Sequence, residues 1–275
     1  VSIPRVRLAA GLVLAWALPA PGQPAPGYGL PLQGEEAESF LRTARVVARR
    51  EIGRGITHSD KLTLSDGTRT LAAAFKTIDE RKRGVVQFQA GGFEVDFVDS
   101  WMHEVAAYEL DKLLGLGMVP PTVERVIGRV RGAVQLWVEG VQTEGERRKK
   151  GLGPPDNEAW SRQIHKVRLF HQLTYNTDRA NVGNVLVDPD FRVYVIDASR
   201  AFRIHTQLVA PSELVRFSRG LLDRLRALDE TSLQSRVGRW LTGLQIRGLL
   251  ARRDHILAQA GKLAAEKGES AVLYP

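Results

Sequence analysis

Three oxygen-bearing side chains, Asp178, Asn184 and Asp197, bracket a stretch that reads as a β-hairpin. Val185 to Val187 and Arg192 to Ile196 are short β-type runs, and Asp188-Pro189-Asp190 between them is turn chemistry. An antiparallel hairpin brings its two ends together, so Asn184 and Asp197 should stand side by side, with Asp178 in the entering loop. Two carboxylates and an amide oxygen form an all-oxygen set suited to Mg²⁺ or Mn²⁺. Singly, each would be an ordinary turn or cap residue; the ordered set is what points to a metal. A matching cation lies upstream. Lys76 closes the apolar run Leu71-Ala-Ala-Ala-Phe75, and Glu104 falls in the first turn of the next predicted helix. Alone, Lys76 reads equally as an edge-strand charge, and Glu104 as a favourable charge near a helix N-terminus. Glu109 is the alternative partner for the lysine. Together these groups supply what phosphoryl transfer from ATP needs: metal ligands, a cation for the nucleotide phosphates and a carboxylate to orient a hydroxyl. Gly53 and Gly55, in a short G-x-G turn, are placed to fold over those phosphates.

The elements that must position these residues fall into two unlike halves. Residues 19–34 are rich in Pro and Gly and read as an unpacked linker. Apolar positions at helical spacing from Glu35 to Arg50 predict a leading helix. Lys61–Ser65 and Thr68–Lys76 read as strands around an Asp66-Gly67 turn. Asp79–Asp99 reads mostly as loop, with a short strand at Val85–Phe88. Ser100 is a predicted N-cap for a helix carrying Val105, Ala106, Leu110 and Leu114, which Gly115 ends. Thr122–Ile127 and Ala133–Val138 read as two more strands. A polar, basic connection over 139–155 follows, then a helix capped by Asp156 or Asn157, and from Pro211 onward the pattern is helical nearly to the end. The fold class is therefore α+β: a small β-rich lobe with one helix over 51–140, preceded by linker and leading helix at 26–50, and a larger, mainly helical lobe over 141–275.

The run Asn176-Thr-Asp178-Arg179 with a following Asn, then Ile196-Asp197 and Arg200-Ala201-Phe202, resembles the catalytic and metal-binding loops of type II phosphatidylinositol 4-kinases. It is also similar to the wider atypical-kinase group that includes HipA-like kinases and the secretory-pathway kinases. The resemblance spans roughly Gly53 to Phe202 and is strongest over Tyr175 to Phe202. It implies a two-lobed kinase-like fold that uses ATP and Mg²⁺ to phosphorylate a hydroxyl on a protein, lipid or small molecule. It makes Asp178 the catalytic carboxylate, Asn184 and Asp197 the metal ligands, Lys76 and Glu104 the phosphate-anchoring ion pair, and Val134–Glu139 the adenine-contacting hinge. Two departures stand out. Asn184 lies one residue farther from Asp178 than most such kinases place the metal-binding Asn, and Asn181 is only three residues on. Ile-Asp-Ala-Ser replaces the usual Asp-Phe-Gly, so a mobile activation segment is not expected. The first departure keeps open a nucleotide-binding pseudoenzyme that performs no transfer.

Composition narrows the remaining classes. The 39 Lys and Arg against 31 Asp and Glu give a net charge of +8, which favours acidic partners without choosing among them. Aromatics are not interleaved with the basic residues and no nucleic-acid-binding signature is present, so nucleic acid is not an expected partner. The chain has no cysteine, which excludes disulfides, thiolate metal sites and a Cys nucleophile. Its histidines lack zinc-protease spacing, and no Walker A loop or Gly-x-Ser-x-Gly elbow occurs. Arg5 and Arg7 followed by the apolar run Leu8–Leu18 and small residues read as a secretory signal peptide over 1–25, too short to span a membrane comfortably. That reading implies an exported protein, and a mis-called start would instead leave it cytoplasmic. The basic cluster Arg147, Arg148, Lys149, Lys150 reads as a solvated connection or a contact for an anionic membrane surface. Arg224, Arg226, Arg252 and Arg253 read as ordinary charged surface.

Overall fold

The computed structural model describes residues 27–52, 59–87 and 93–275. The signal-peptide reading and the turn holding Gly53 and Gly55 lie outside the described residues.

The first lobe starts with α1 (Gly34–Thr43), which buries Ala37, Phe40 and Leu41. It stops well short of Arg50, where apolar spacing alone would carry it. The Arg125 guanidinium donates to the carbonyls of Leu41 (2.8 Å) and Ala44 (2.7 Å), capping the helix end. The β-branched Val46 and Val47 then enter β1 (Arg45–Glu51), which pairs with β2 (Ser59–Ser65). β3 (Thr70–Lys76) follows a tight turn in which Asp66 accepts from the N–H groups of Thr68 (2.9 Å) and Arg69 (2.7 Å). β4 (Asp79–Gln87) and β5 (Phe93–Ser100) make a long antiparallel ribbon where sequence reading expects mostly loop, with only a short strand at Val85–Phe88. Its Glu-Arg-Lys-Arg stretch is exposed on both faces, so the period-2 alternation that betrays a half-buried strand never develops. α2 (Trp101–Leu114) starts where Ser100 Oγ accepts from Met102 N (3.3 Å) and ends at Gly115, whose φ of 56° is left-handed. β6 (Thr122–Ile127) and β7 (Val130–Leu136) complete a five-stranded antiparallel sheet in the order β1-β2-β3-β7-β6.

The Pro- and Gly-rich approach to α1 is not an idle linker over its described part. Gly29 and Glu139 exchange backbone hydrogen bonds (2.7 and 2.9 Å), and Leu32 joins the sheet's core.

In the second lobe, β8 (Gln142–Thr143) and α3 (Glu144–Lys149) occupy the predicted connection. Glu144 holds both Arg147 and Arg148 at 2.6 Å, and the Arg147 side chain is largely buried, so part of the basic cluster serves the fold. α4 (Asn157–Thr174) has Asp156 as its cap and leads to the hairpin of β9 (Val185–Val187) and β10 (Val193–Val195). β11 (Phe217–Ser218), α5 (Arg219–Ala227), α6 (Glu230–Val237), α7 (Gly243–Lys267), α8 (Glu269–Val272) and β12 (Leu273–Tyr274) complete the lobe. Its core joins Leu110 and Leu114 of α2 to Phe170, Leu173, Phe202, Leu221, Leu249 and Ile256, so α2 belongs to both lobes.

Arg252 is not a surface residue. It is fully buried and donates to the carbonyls of Leu173 (2.8 Å) and Arg203 (3.0 Å), with His205 O as a further acceptor. It thereby clamps the chain on either side of the hairpin segment. Burial among carbonyls rather than carboxylates lowers its pKa to about 10.

Candidate active site between the lobes

The β3–α2 pairing and the β9–β10 hairpin converge on one corner. Lys76 Nζ lies 2.7 Å from Glu104 Oε1 and 3.1 Å from Asp197 Oδ1. Lys76 ends β3 opposite Ala133 of β7, and Gly132 next to it is obligatory: a Cβ there would sit 2.4 Å from the Lys76 carbonyl. Glu104 is buried and uses its second oxygen to accept from Ala198 N (3.2 Å), tying α2 to the loop after Asp197. Burial alone would depress the Lys76 pKa, but the Asp197 and Glu104 carboxylates outweigh it and hold the ammonium above its ordinary range. The Lys76 charge in turn holds Asp197 below the ordinary carboxylate value.

Asn184 and Asp197 stand at the two ends of the hairpin, as its antiparallel geometry requires, and Ile196 N donates to Asn184 O (2.9 Å). The longer spacing from Asp178 is taken up by a 3₁₀ turn over Val182–Asn184, capped by Asn181 Oδ1 accepting from Gly183 N (3.0 Å). Both amides point at the same oxygen: Asn184 Nδ2 (2.8 Å) and Asn181 Nδ2 (3.0 Å) donate to Asp178 Oδ2. Asn184 is buried and Asn181 exposed, so only Asn184 abuts the Asp197 corner. Asp178 Oδ1 faces Arg200 Nη1 at 3.5 Å. The alternative partner Glu109 lies elsewhere, paired with Lys112 (2.9 Å) and Arg236 (2.7 Å).

The loop after Asp197 is fastened rather than loose. Asp197 itself has a φ of 60°. Ser199 O accepts from Ser100 N (3.0 Å) and from His103 Nδ1 (2.9 Å), which leaves His103 Nε2 to accept from Gln245 Nε2 (3.0 Å). Burial pushes His103 down to about 4, so the ring is neutral. Gln245 also donates to Phe202 O (2.9 Å), and Phe202 N donates to Thr174 O (2.6 Å). These bonds tie the loop after Asp197 to β5, α2, α4 and α7.

Sequence reading assigns no role to three neighbours of this corner. Asp99, at the end of β5, is buried beside Ser199 and has its carboxyl pushed up by burial. Ser199 Oγ donates to Asp197 Oδ1 (3.3 Å). Arg200 reaches both Asp178 and Glu94 of β5. No periodicity or motif announces Asp99, which sits in a segment that reads as loop.

Among the described residues no group of three His, Cys, Asp or Glu side chains converges to hold a metal ion. Asp197 and Asn184 are the oxygen-bearing side chains at this corner that would hold a hard divalent cation, which can take only one or two protein oxygens.

No protein-family model and no curated protein sequence matches the chain. Solved structures do. A hydra Fam20 structure with sugar aligns at a TM-score of 0.66 and 15% identity, covering 91% of this chain and 96% of the other. The Golgi casein kinase with Mn/ADP bound aligns at 0.63 and 14%, covering 87% and 78%. The Helicobacter pylori proinflammatory kinase CtkA aligns at 0.51 and 10%, covering 84% and 98%. The chain has an atypical kinase-like fold, with a β-sheet lobe and a helical lobe.

Proposed function

We propose that the chain is a kinase-type phosphotransferase that moves the γ-phosphoryl group of ATP to a hydroxyl acceptor. The observation that carries this reading is the shared Lys76 ammonium, 2.7 Å from Glu104 and 3.1 Å from Asp197, on a kinase-like fold. Glu104 holds Lys76 where it can meet the nucleotide's α- and β-phosphates. Asp197 and Asn184 would hold Mg²⁺ or Mn²⁺, whose charge would offset that of the nucleotide phosphates. The neighbour with Mn/ADP bound supports that pairing of nucleotide and metal. Asp178 orients the acceptor hydroxyl, whose oxygen bonds to the γ-phosphorus as the bond to the β-phosphate oxygen breaks. The products are the phosphorylated acceptor, ADP and the hydroxyl proton. Gly53 and Gly55 are proposed to cover the phosphates, and Val134–Glu139 to contact adenine. Protein, lipid and small-molecule hydroxyls are the acceptors to test, and the sugar and casein in the neighbours' names support starting with sugar and protein. An exported setting agrees with the Golgi residence of one neighbour. Among the described residues no helix is long and apolar enough to cross a membrane.

A nucleotide-binding module without transfer is the second reading, favoured by the three donors that crowd Asp178. Intact mass of the protein and of acceptor panels after incubation with ATP and Mg²⁺ separates the two. The kinase reading expects a gain of one phosphoryl group that Asp178→Ala abolishes. Nucleotide binding without any such gain would favour the module, and no binding would reject both.

A further inference from the structure

Asp99 has no part in the scheme above, yet its carboxyl is buried among other charged groups. It is 4% exposed and faces Asp197, Lys76 and Arg200. Ser199 lies beside it, and the Ser199 hydroxyl donates to Asp197 Oδ1 at 3.3 Å. One hydroxyl carries one proton, so it can satisfy only one of these carboxylates at a time. Asp99 Oδ1 has no hydrogen-bond partner among the described residues. Three carboxylates, Asp99, Glu104 and Asp197, thus gather around the Lys76 ammonium, while Arg200 is drawn to Glu94 and Asp178. A buried anion in such surroundings calls for a further cation.

Among the described residues no three such groups converge to hold that cation, which leaves Asp99 a place beside the ligands rather than among them. A divalent ion held by one or two protein oxygens keeps several waters, and each needs an acceptor for its protons. Resting on the nucleotide–metal reading, we propose that Asp99 is a positioning residue of the divalent-cation site: its orphan oxygen accepts from a metal-bound water, and Ser199 couples its charge to Asp197.

The test follows ADP binding to the full chain as Mn²⁺ is titrated, in wild type and in Asp99→Asn. Asparagine keeps the shape but removes the charge. The Mn²⁺ concentration giving half-maximal binding should rise about tenfold, in line with the effect of removing a metal site's outer partners. ADP affinity in EDTA should not change, and the thermal midpoint in EDTA should equal or exceed that of wild type, since a poorly solvated charge is gone. An unchanged Mn²⁺ requirement overturns the proposal. So does a midpoint in EDTA below wild type, which would make Asp99 a structural cap. Wild-type protein that shows no Mn²⁺-dependent ADP binding would instead overturn the parent reading, and this one with it.

Discussion

Replacing Lys76 with Met removes an ammonium in contact with two carboxylates that differ in their access to water. Glu104 is 1% exposed at its side chain, whereas Asp197 is 35% exposed and can turn to solvent. The penalty therefore falls on Glu104. Breaking a buried ion pair by removing one partner costs about 3–5 kcal/mol, and the lower end applies here because Ala198 N still donates to Glu104. Adding Glu104→Gln to Lys76→Met removes the stranded charge and should return most of that loss, giving a coupling of about 2 kcal/mol in the double-mutant cycle. The assay is urea unfolding of the four proteins without nucleotide, reading the midpoint at constant slope. A Lys76→Met protein as stable as wild type, or strictly additive effects, would refute the claim that this pair is a buried ionic contact.

Arg252→Met should destabilise by about 3 kcal/mol or more, because the carbonyls of Leu173, Arg203 and His205 lose their donor together; the urea midpoint is the readout. His103 and His171 are both pushed down to about 4 by burial, whereas the unfolded chain binds those protons near the ordinary pKa of 6.5. Stability should hold above about pH 6.5 and fall as pH drops toward 4, by up to about 3 kcal/mol per histidine, and His171→Gln should flatten that slope by one proton. Mg²⁺-dependent ATP binding should fall sharply in Asn184→Ala and only modestly in Asn181→Ala, since only Asn184 abuts Asp197; a titration with the reverse ranking would overturn that assignment. Asp178→Ala should spare much of the binding while abolishing transfer.

The parts of the site that lie on regular elements were legible. Leu71 to Lys76 reads as a strand because it is a short apolar run whose Ala73, Ala74 and Phe75 are all buried, and the hairpin from Val185 to Val195 reads from β-type runs around Asp188-Pro189-Asp190. The convergence of Asn184 and Asp197 then follows from antiparallel geometry alone. What sequence could not show depended on partners far along the chain. Arg125 ends α1 from eighty-odd residues away, and Arg252 is buried by carbonyls that no local pattern reveals. The β4–β5 ribbon escaped because exposed strands have no hydrophobic rhythm, and Asp99 escaped with it.

The most direct test of a nucleotide–metal site at this corner is calorimetric titration of ATP into the protein with Mg²⁺ and with EDTA, in wild type and in Asp197→Ala. The account expects wild-type binding that tightens with Mg²⁺, and an Asp197→Ala protein that has lost the metal-dependent gain but remains folded. Equal ATP binding in all four titrations, or none in wild type, would contradict it.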